Sequence, residues 1–257
     1  MNETEQLMQY FMRRATVRQY TEQPIDPALM ERMIAAAAHA PNTGGMQLYS
    51  VVVTTDPEIK AALSPCHFNQ PMVTQAPAVL TFCADYNRFE AWCRASNAQP
   101  GFNNFESFMA AVIDATAFAQ QFNTIAEANG LGCCYLGTTT YNAGDIARVL
   151  HLPKRVVPVV TLTVGYPHHP VTDDERTERL PLEAIVHHNL YTDYDDRAIA
   201  TAYAEKEALP RNRQFVAENG KESLAQVFTD VRYPRDAAET FSRLFRDFVV
   251  EQGFPFP

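Results

Sequence analysis

The stretch between Phe102 and Thr140 is the feature that most constrains what this chain can fold into. Apolar residues recur in it at alternating steps of three and four, and a second apolar stripe runs beside the first, which predicts a helix buried on most of its circumference. The first stripe comprises Phe105, Phe108, Val112, Ala115, Ala119, Phe122 and Ala126, and the second comprises Met109, Ile113, Phe118 and Ile125. Such a helix would be roughly 30 Å long, about the width of a small domain. We therefore expect a central spine around which the other elements pack.

Polar residues within this spine argue against a membrane span. Asp114 is the only charged residue between Glu106 and Glu127, but Gln120 and Asn123 interrupt the apolar run. A helix that crosses a bilayer needs about 20 predominantly apolar residues without such interruptions. The spine is therefore expected to be a core helix of a globular protein.

Four segments rich in β-branched and apolar residues predict strands. They cover residues 49–54, 78–84, 133–136 and 156–165, and the third follows the expected end of the spine at Asn129-Gly130. Helices are predicted near residues 3–14, 27–39, 143–150, 195–207, 222–231 and 236–252, with Asp26 capping the second of them. Residues 85–101 are expected to form a surface excursion. This pattern predicts an α+β fold.

Composition and charge exclude several classes of protein. A chain of 257 residues with 46% hydrophobic and 20% charged residues predicts a globular core in one domain, or one domain with an appendage. The formal charge of −9 argues against nucleic acid or an anionic membrane as a partner. The first ten residues lack a signal-peptide pattern, and five cysteines without regular spacing favour reduced thiols in the cytoplasm. We expect Cys133 and Cys134 to be strand thiols that face opposite sides of a sheet.

Two segments are candidate ligand sites. Arg13, Arg14, Thr16 and Arg18 place three guanidinium groups and a hydroxyl within one short turn, a set that suits an anion such as phosphate. A solvated basic turn would have the same composition. The loop of residues 41–47 contains paired glycines that would let a ligand lie close to the backbone, although a plain connection needs them too.

Common catalytic and cofactor motifs do not fit. Gly130-Leu131-Gly132 lies between a helix and a strand, the reverse of the dinucleotide-binding order, and Gly137 is at the wrong spacing. The pairs His168-His169 and His187-His188 lack the spacing of zinc ligands. Because acid, base and nucleophile candidates are scarce, any chemistry is expected to depend on a bound cofactor.

Four ordered segments resemble the nitroreductase family of flavoproteins, and two others resemble its larger, NADPH-preferring branch. The match runs from residue 8 to about residue 190. The four segments are Arg14-Ala15-Thr16-Val17-Arg18-Gln19-Tyr20, Ala40-Pro41-Asn42-Thr43 with Gln47, Gly130-Leu131-Gly132 with Tyr135-Leu136-Gly137-Thr138, and Val164-Gly165-Tyr166-Pro167; the two others are Phe82-Cys83-Ala84-Asp85 and Arg179-Leu180-Pro181.

This resemblance implies a nitroreductase-like fold, in which a central mixed β-sheet is flanked by helices around a long buried helix at a homodimer interface. Residues 1–180 would form the FMN-binding core, and residues 181–257 a helical arm that wraps the core or the partner subunit. A spine apolar on nearly every face is itself a reason to expect pairing, because about 1,000 Å² of apolar burial is worth on the order of 25 kcal/mol before entropy costs.

The resemblance also assigns the FMN contacts. Arg14, Thr16 and Arg179, with Ala15 beside them, would meet the phosphate, and Arg18 and Gln70 the pyrimidine edge of the flavin. Pro41, Asn42 and Thr43 would approach from the partner chain, and the backbone of Tyr135, Leu136, Gly137 and Thr138 would line the ring, with the Gly137 N–H at N5. Ala15 and Thr177 depart from the family pattern, where basic residues are common. Arg211 and Arg213 are candidates for the NADPH 2′-phosphate, and a solvated basic loop is the alternative.

The implied activity is ping-pong transfer of two electrons from NADPH or NADH to a small electron acceptor such as a nitroaromatic, a quinone or a free flavin. No side chain is expected to act as catalytic acid or base. Two alternatives remain open. One is a relative that fragments its flavin or removes halogens reductively, and the other is a flavin-binding protein without turnover.

Overall fold

The computed structural model describes residues 3–172 and 176–256. The helices of this part of the chain are α1 (Glu3–Met12), α2 (Pro27–Ala37), α3 (Pro57–Leu63), α4 (Pro71–Gln75), α5 (Asn87–Ala95), α6 (Phe105–Ala128), α7 (Ala143–Val149), α8 (Asp196–Ala208), α9 (Pro210–Glu218), α10 (Leu224–Val227) and α11 (Arg235–Glu251). The strands are β1 (Tyr49–Thr54), β2 (Ala78–Asp85), β3 (Gly132–Tyr135) and β4 (Val156–Gly165). The α+β class is confirmed, as is each of the four predicted strands to within one residue at either end.

The described strands form one sheet in the order β1-β2-β4-β3. Every pairing is antiparallel, for example Leu80 opposite Leu162 and Cys133 opposite Val164. The mixed pairing that we expected is therefore not seen among the described strands. β3 is the short edge strand, and it places the residues that follow it at the rim of the sheet.

Both faces of the sheet are covered. Cys133 belongs to the core on the side of α2 and α6, whereas the next residue, Cys134, belongs to the core on the side of α3, α4 and α7. Successive strand residues point to opposite faces, so this division follows from the pleat. The two cysteines are free thiols, as predicted.

The predicted spine is α6, a helix of 24 residues. Asn104 caps its first turn, accepting hydrogen bonds from the amides of Glu106 and Ser107. Phe118 lies on the sheet, with its ring centroid 5.2 Å from that of Phe82 in an edge-to-face arrangement. The burial is not complete within one chain, because the side chain of Ile113 remains 62% exposed.

Some expectations about the helices were wrong. Residues 85–101 are not only a surface excursion, since α5 forms there, buries Cys93 and joins Glu90 to Arg94 across one turn at 3.7 Å. We did not expect α9, and α2 ends two residues before His39. These segments are short, and the sequence signals for such helices are weak without tertiary packing.

The chain forms two compact units, one of residues 3–172 with 241–256 and one of residues 176–240, with α11 running from the second into the first. In the first unit, Val249 and Phe254 are buried in the core that contains the beginning of α6. In the second, Ala202, Leu224 and Val227 are buried. The division at residue 180 and the wrapping role of residues 181–257 stay predictions.

We expect the substitution Gly132→Ala to destabilise the fold. A methyl group at this position would lie 2.5 Å from Cβ of Val17, and both atoms belong to backbone segments that are joined by a hydrogen bond. Overpacking of this kind costs about 1–3 kcal/mol of the free energy of unfolding. Urea unfolding measures it. Gly101→Ala is the control, because an added Cβ there meets no atom within 4 Å; equal unfolding midpoints for the two variants would contradict the expectation.

Candidate functional site

The segment of residues 14–20 lies along the free edge of β3. The Val17 amide donates to the Cys133 carbonyl at 3.1 Å, and Tyr20 forms a bridge with Pro167. The Tyr20 hydroxyl is buried and bonds to the Val17 carbonyl at 2.7 Å and to the Thr163 side chain at 2.8 Å. These bonds fix Ala15 and Thr16, both half-buried, at the rim of the sheet.

Arg14 has a carboxylate partner that the sequence did not indicate. Its Nε donates to Oε1 of Glu127, on the last turn of α6, at 3.1 Å. Asn123 donates to the same oxygen at 3.2 Å. Burial raises the pKa of Glu127, and the Arg14 charge opposes that shift. Arg13, Arg14 and Glu127 line a cavity of about 390 Å³, so this end of the site is basic with one carboxylate at its wall.

Arg18 is exposed beside the same strand. The charge of its guanidinium acts on the thiol of Cys134. Burial raises the pKa of that thiol, and the Arg18 and Arg14 charges partly offset the effect. Arg18 and Thr16 line one cavity of about 250 Å³. The first predicted segment therefore presents its cationic side chains at the edge that carries β3.

The backbone that follows β3 forms an exposed turn. The buried Leu136 continues the ladder, with its amide bonded to the Thr161 carbonyl at 2.9 Å. Gly137 is exposed, and no atom lies within 4 Å of the position that a Cβ would occupy there. The Tyr135 hydroxyl donates to Oε1 of Gln120 on α6 at 3.2 Å. Burial raises the pKa of Tyr135. The Gly137 peptide thus borders open space.

Gln70 is brought next to this turn by His67, which the sequence did not single out for this role. Nε2 of Gln70 donates to the carbonyl of His67 at 3.1 Å, and Nδ1 of His67 lies 2.8 Å from Oγ1 of Thr138. Burial lowers the pKa of His67 to about 4. Two predicted contact residues, Gln70 and Thr138, are therefore joined through one neutral histidine.

The loop of residues 41–48 is held by the buried carboxylate of Asp114 on α6. Oδ1 of Asp114 accepts from the amide and the hydroxyl of Thr43 at 2.8 and 2.9 Å, and Oδ2 accepts from the Leu48 amide at 3.2 Å. Asn42 accepts from the Gln47 amide at 3.3 Å. Pro41 is exposed. The loop is thus hydrogen-bonded to the spine. The lone charge of Asp114 in an otherwise apolar helix is the sequence signal from which this attachment could have been predicted.

Arg179 belongs to the second unit, where its Nη1 donates to the carbonyls of Thr177 and Glu178 at 2.7 and 3.1 Å. In the same unit, the Glu178 carboxylate pairs with Arg211 and, at 3.6 Å, with Lys206. Burial raises the pKa of Glu178, but its hydrogen bonds and the charges of Arg211 and Lys206 outweigh that effect, so the pKa is lowered. A phosphate role for Arg179 and nucleotide roles for Arg211 and Arg213 stay predictions.

Metal and membrane features are not found in the described part of the chain. There, no group of three or more histidine, cysteine, aspartate or glutamate side chains is arranged to hold a metal ion. No helix within residues 3–172 or 176–256 has the length and apolarity to cross a membrane.

A sequence model described as the nitroreductase family matches residues 11–166. This chain belongs to the nitroreductase family. An oxygen-insensitive NADPH nitroreductase of Salmonella typhimurium is 34% identical over 185 residues, covering 72% of this chain and 74% of that protein. An NADPH-dependent FMN reductase of Bacillus subtilis is 28% identical over 251 residues, covering 93% and 94%.

A solved structure shares the fold of this chain. A crystal structure of a Bacteroides fragilis protein assigned as an oxidoreductase superimposes with a TM-score of 0.94 at 48% identity, covering 97% of this chain and all of that one. The family resemblance read from the four sequence segments is confirmed. The individual contact residues remain predictions.

We expect Asp114→Asn to loosen the loop of residues 41–48. An amide nitrogen cannot accept a hydrogen bond, so either Thr43 or Leu48 would lose its acceptor, and an unpaired buried donor costs about 1–3 kcal/mol. Hydrogen exchange of the Thr43 or the Leu48 amide should accelerate at least tenfold. The control is Asp145→Asn, which removes an exposed carboxylate paired with Arg148. Unchanged exchange at both amides in the Asp114 variant would show that the carboxylate does not hold the loop.

Proposed function

We propose that this protein is an FMN-dependent oxidoreductase that takes two electrons from NADPH or NADH and passes them to a small electron-poor acceptor such as a nitroaromatic, a quinone or a free flavin. The observation that carries the proposal is the exposed Gly137 turn, which borders open space and is linked to Gln70 through Thr138 and His67. The Salmonella relative is an NADPH nitroreductase and the Bacillus relative an FMN reductase, which supports the same assignment.

The residues present fit FMN. Its phosphate is an anion, and Arg14 and Thr16 offer it a guanidinium and a hydroxyl at the rim of the sheet. Its ring system is flat, and a glycine without neighbours around its Cβ position lets such a ring approach the peptide. The hydrogen bond from Gln70 to His67 fixes the orientation of an amide that suits the polar edge of the ring. A phosphate role for Arg179 stays a prediction from the family resemblance.

FMN, when bound, supplies hydride and electron transfer that amino-acid side chains do not perform. Arg18 would place a positive charge beside the pyrimidine edge of the ring, where it would favour the reduced, more negative form of the flavin. The Gly137 N–H contributes a hydrogen-bond donor without a side chain in the way. Glu127 holds Arg14 in place through its Nε. With no side-chain acid among the proposed contacts, protons are expected to come from water.

The experiment that tests the function is anaerobic reduction of the protein after loading with FMN. NADPH should bleach the yellow protein, and a nitroaromatic should restore the colour. Arg18→Ala should slow flavin reduction at least tenfold while the urea midpoint changes little, because Arg18 is exposed and contributes charge rather than packing. Arg94→Ala on α5 is the control.

Three results would count against the proposal. A protein that does not take up FMN would leave only a structural role. Consumption of the FMN itself would favour the flavin-fragmenting alternative. An Arg18→Ala variant with normal FMN content and an unchanged rate of reduction would remove the assigned role of Arg18.

We further propose that two copies of the chain pair through α6. Ile113 and Met109 leave an apolar stripe exposed on this helix, and α1 exposes Leu7, Met8 and Met12. Side chains of this size in exposed rows favour a partner surface. The pairing would allow Pro41, Asn42 and Thr43 to reach the partner's flavin. A reducing cytoplasm is the proposed location, and the five buried free cysteines support it.

Ile113→Lys should convert the dimer to a monomer, because it would bury a charge in the proposed interface. Sedimentation velocity measures the change in mass, and FMN content should fall with it. Ile59→Lys on α3, at another exposed isoleucine, is the matched control. A dimer that survives the Ile113 substitution would place the interface elsewhere.

A further inference from the structure

His67 is a buried polar residue that the proposed chemistry does not use. It ends a short 3-10 turn, Pro65–His67, that follows α3 and leads into α4, and its side chain has no exposed surface. Nδ1 lies 2.8 Å from Oγ1 of Thr138, whereas Nε2 is buried with no hydrogen-bond partner. The surrounding core is apolar, with Leu63, Val73 and Ile146 among its members. A residue that only filled this core would not need two ring nitrogens.

The lack of a partner for Nε2 indicates which ring nitrogen of His67 carries the proton. Burial holds the ring neutral at physiological pH, since the pKa is lowered to about 4. A neutral imidazole carries one N–H, and an unpaired buried N–H is costlier and rarer than an unpaired acceptor. The proton therefore lies on Nδ1 and is donated to Oγ1 of Thr138. His67 thus acts as a fixed donor to the turn that contains Gly137.

The segment around His67 is bonded to the turn after β3 at a second point. Nδ2 of Asn142 donates to the carbonyl of Cys66 at 2.7 Å. The carbonyl of His67 accepts both the side-chain amide and the backbone amide of Gln70, at 3.1 and 3.2 Å. The two residues between His67 and Gln70 have positive φ angles of 53° and 54°, although neither is glycine. Such a conformation is unfavourable by itself, so the surrounding bonds must hold it.

We propose that His67 is a positioning residue for the flavin, which holds Thr138, and with it the adjacent Gly137 amide, at a fixed separation from the Gln70 side chain. The inference rests on the proposed function, because it assumes that FMN lies between these two groups. Its physical basis is preorganisation: a donor held in place before the ligand binds does not lose conformational entropy when it binds.

The test compares variants that differ in one hydrogen bond. His67→Phe keeps a ring and removes the donor, Thr138→Val removes the acceptor while leaving His67 in place, and His67→Asn keeps an N–H close to the position of Nδ1. His39→Phe, at an exposed histidine away from these turns, is the control. For each protein, the dissociation constant of FMN, the midpoint potential of the bound flavin and the urea midpoint of the apoprotein are measured.

We expect His67→Phe and Thr138→Val each to weaken FMN binding about tenfold, and the double variant to be no weaker than either single variant. His67→Asn should restore most of the affinity. If the Gly137 amide matters most to the reduced flavin, reduced FMN should lose tenfold more affinity than oxidised FMN, which lowers the midpoint potential by about 30 mV for two electrons. A role in packing alone would change the urea midpoint and leave the potential unchanged.

The outcomes separate this inference from the function on which it rests. If the unaltered protein binds and cycles FMN but both single variants keep the FMN affinity within twofold and the midpoint potential within about 9 mV, the assignment of His67 is wrong and the proposed function stands. Additive losses in the double variant would likewise overturn the link between His67 and Thr138. If the unaltered protein does not bind FMN, both proposals fail together. Should His67→Phe fold poorly, Thr138→Val still decides the question.

Discussion

The packing of α6 against one face of the sheet is the constraint on which the rest of the structure depends. Phe118 and Phe122 fill the space above β2, so the helix must cross the sheet at a fixed position. That position determines where the few polar side chains of α6 emerge. Asp114 lies beneath the loop of residues 41–48, and Glu127 lies beside Arg14 near the start of the chain. A helix that is mostly core thus also carries the fixed points to which the candidate site is attached.

Polar side chains that are buried or half-buried hold the separate segments of the site. Asp114 binds the loop of residues 41–48, Glu127 binds Arg14, and His67 binds Thr138. Each of these groups has at least one backbone or side-chain partner, which offsets part of the cost of burying it, although Nε2 of His67 has none. The segments that would contact FMN are loops and turns, which have little regular structure of their own. The rigidity of these loops and turns therefore comes from Asp114, Glu127 and His67, which lie beneath them and would not themselves contact FMN.

Much of the fold could be predicted from local patterns. The four strands were found because apolar and β-branched residues cluster over short runs, and the spine because its period persists over more than six turns. α5 and α9 were missed since they are short and depend on packing. Mixed pairing was expected from the family resemblance, whereas strand direction depends on connections that composition does not encode.

The candidate site, like the fold, could be predicted only in part. Arg14, Thr16, Arg18 and the Gly137 turn were predicted because their residue types and order match a family pattern. Their partners were not, because Asp114 and Thr43, like His67 and Thr138, lie 71 positions apart, and Arg14 and Glu127 lie 113 apart. The amino-acid sequence by itself determined most of the elements, the family and the groups offered to a ligand. Only the tertiary structure decided which buried group holds which segment, because hydrogen bonds form between atoms that meet in space and not between positions in a pattern.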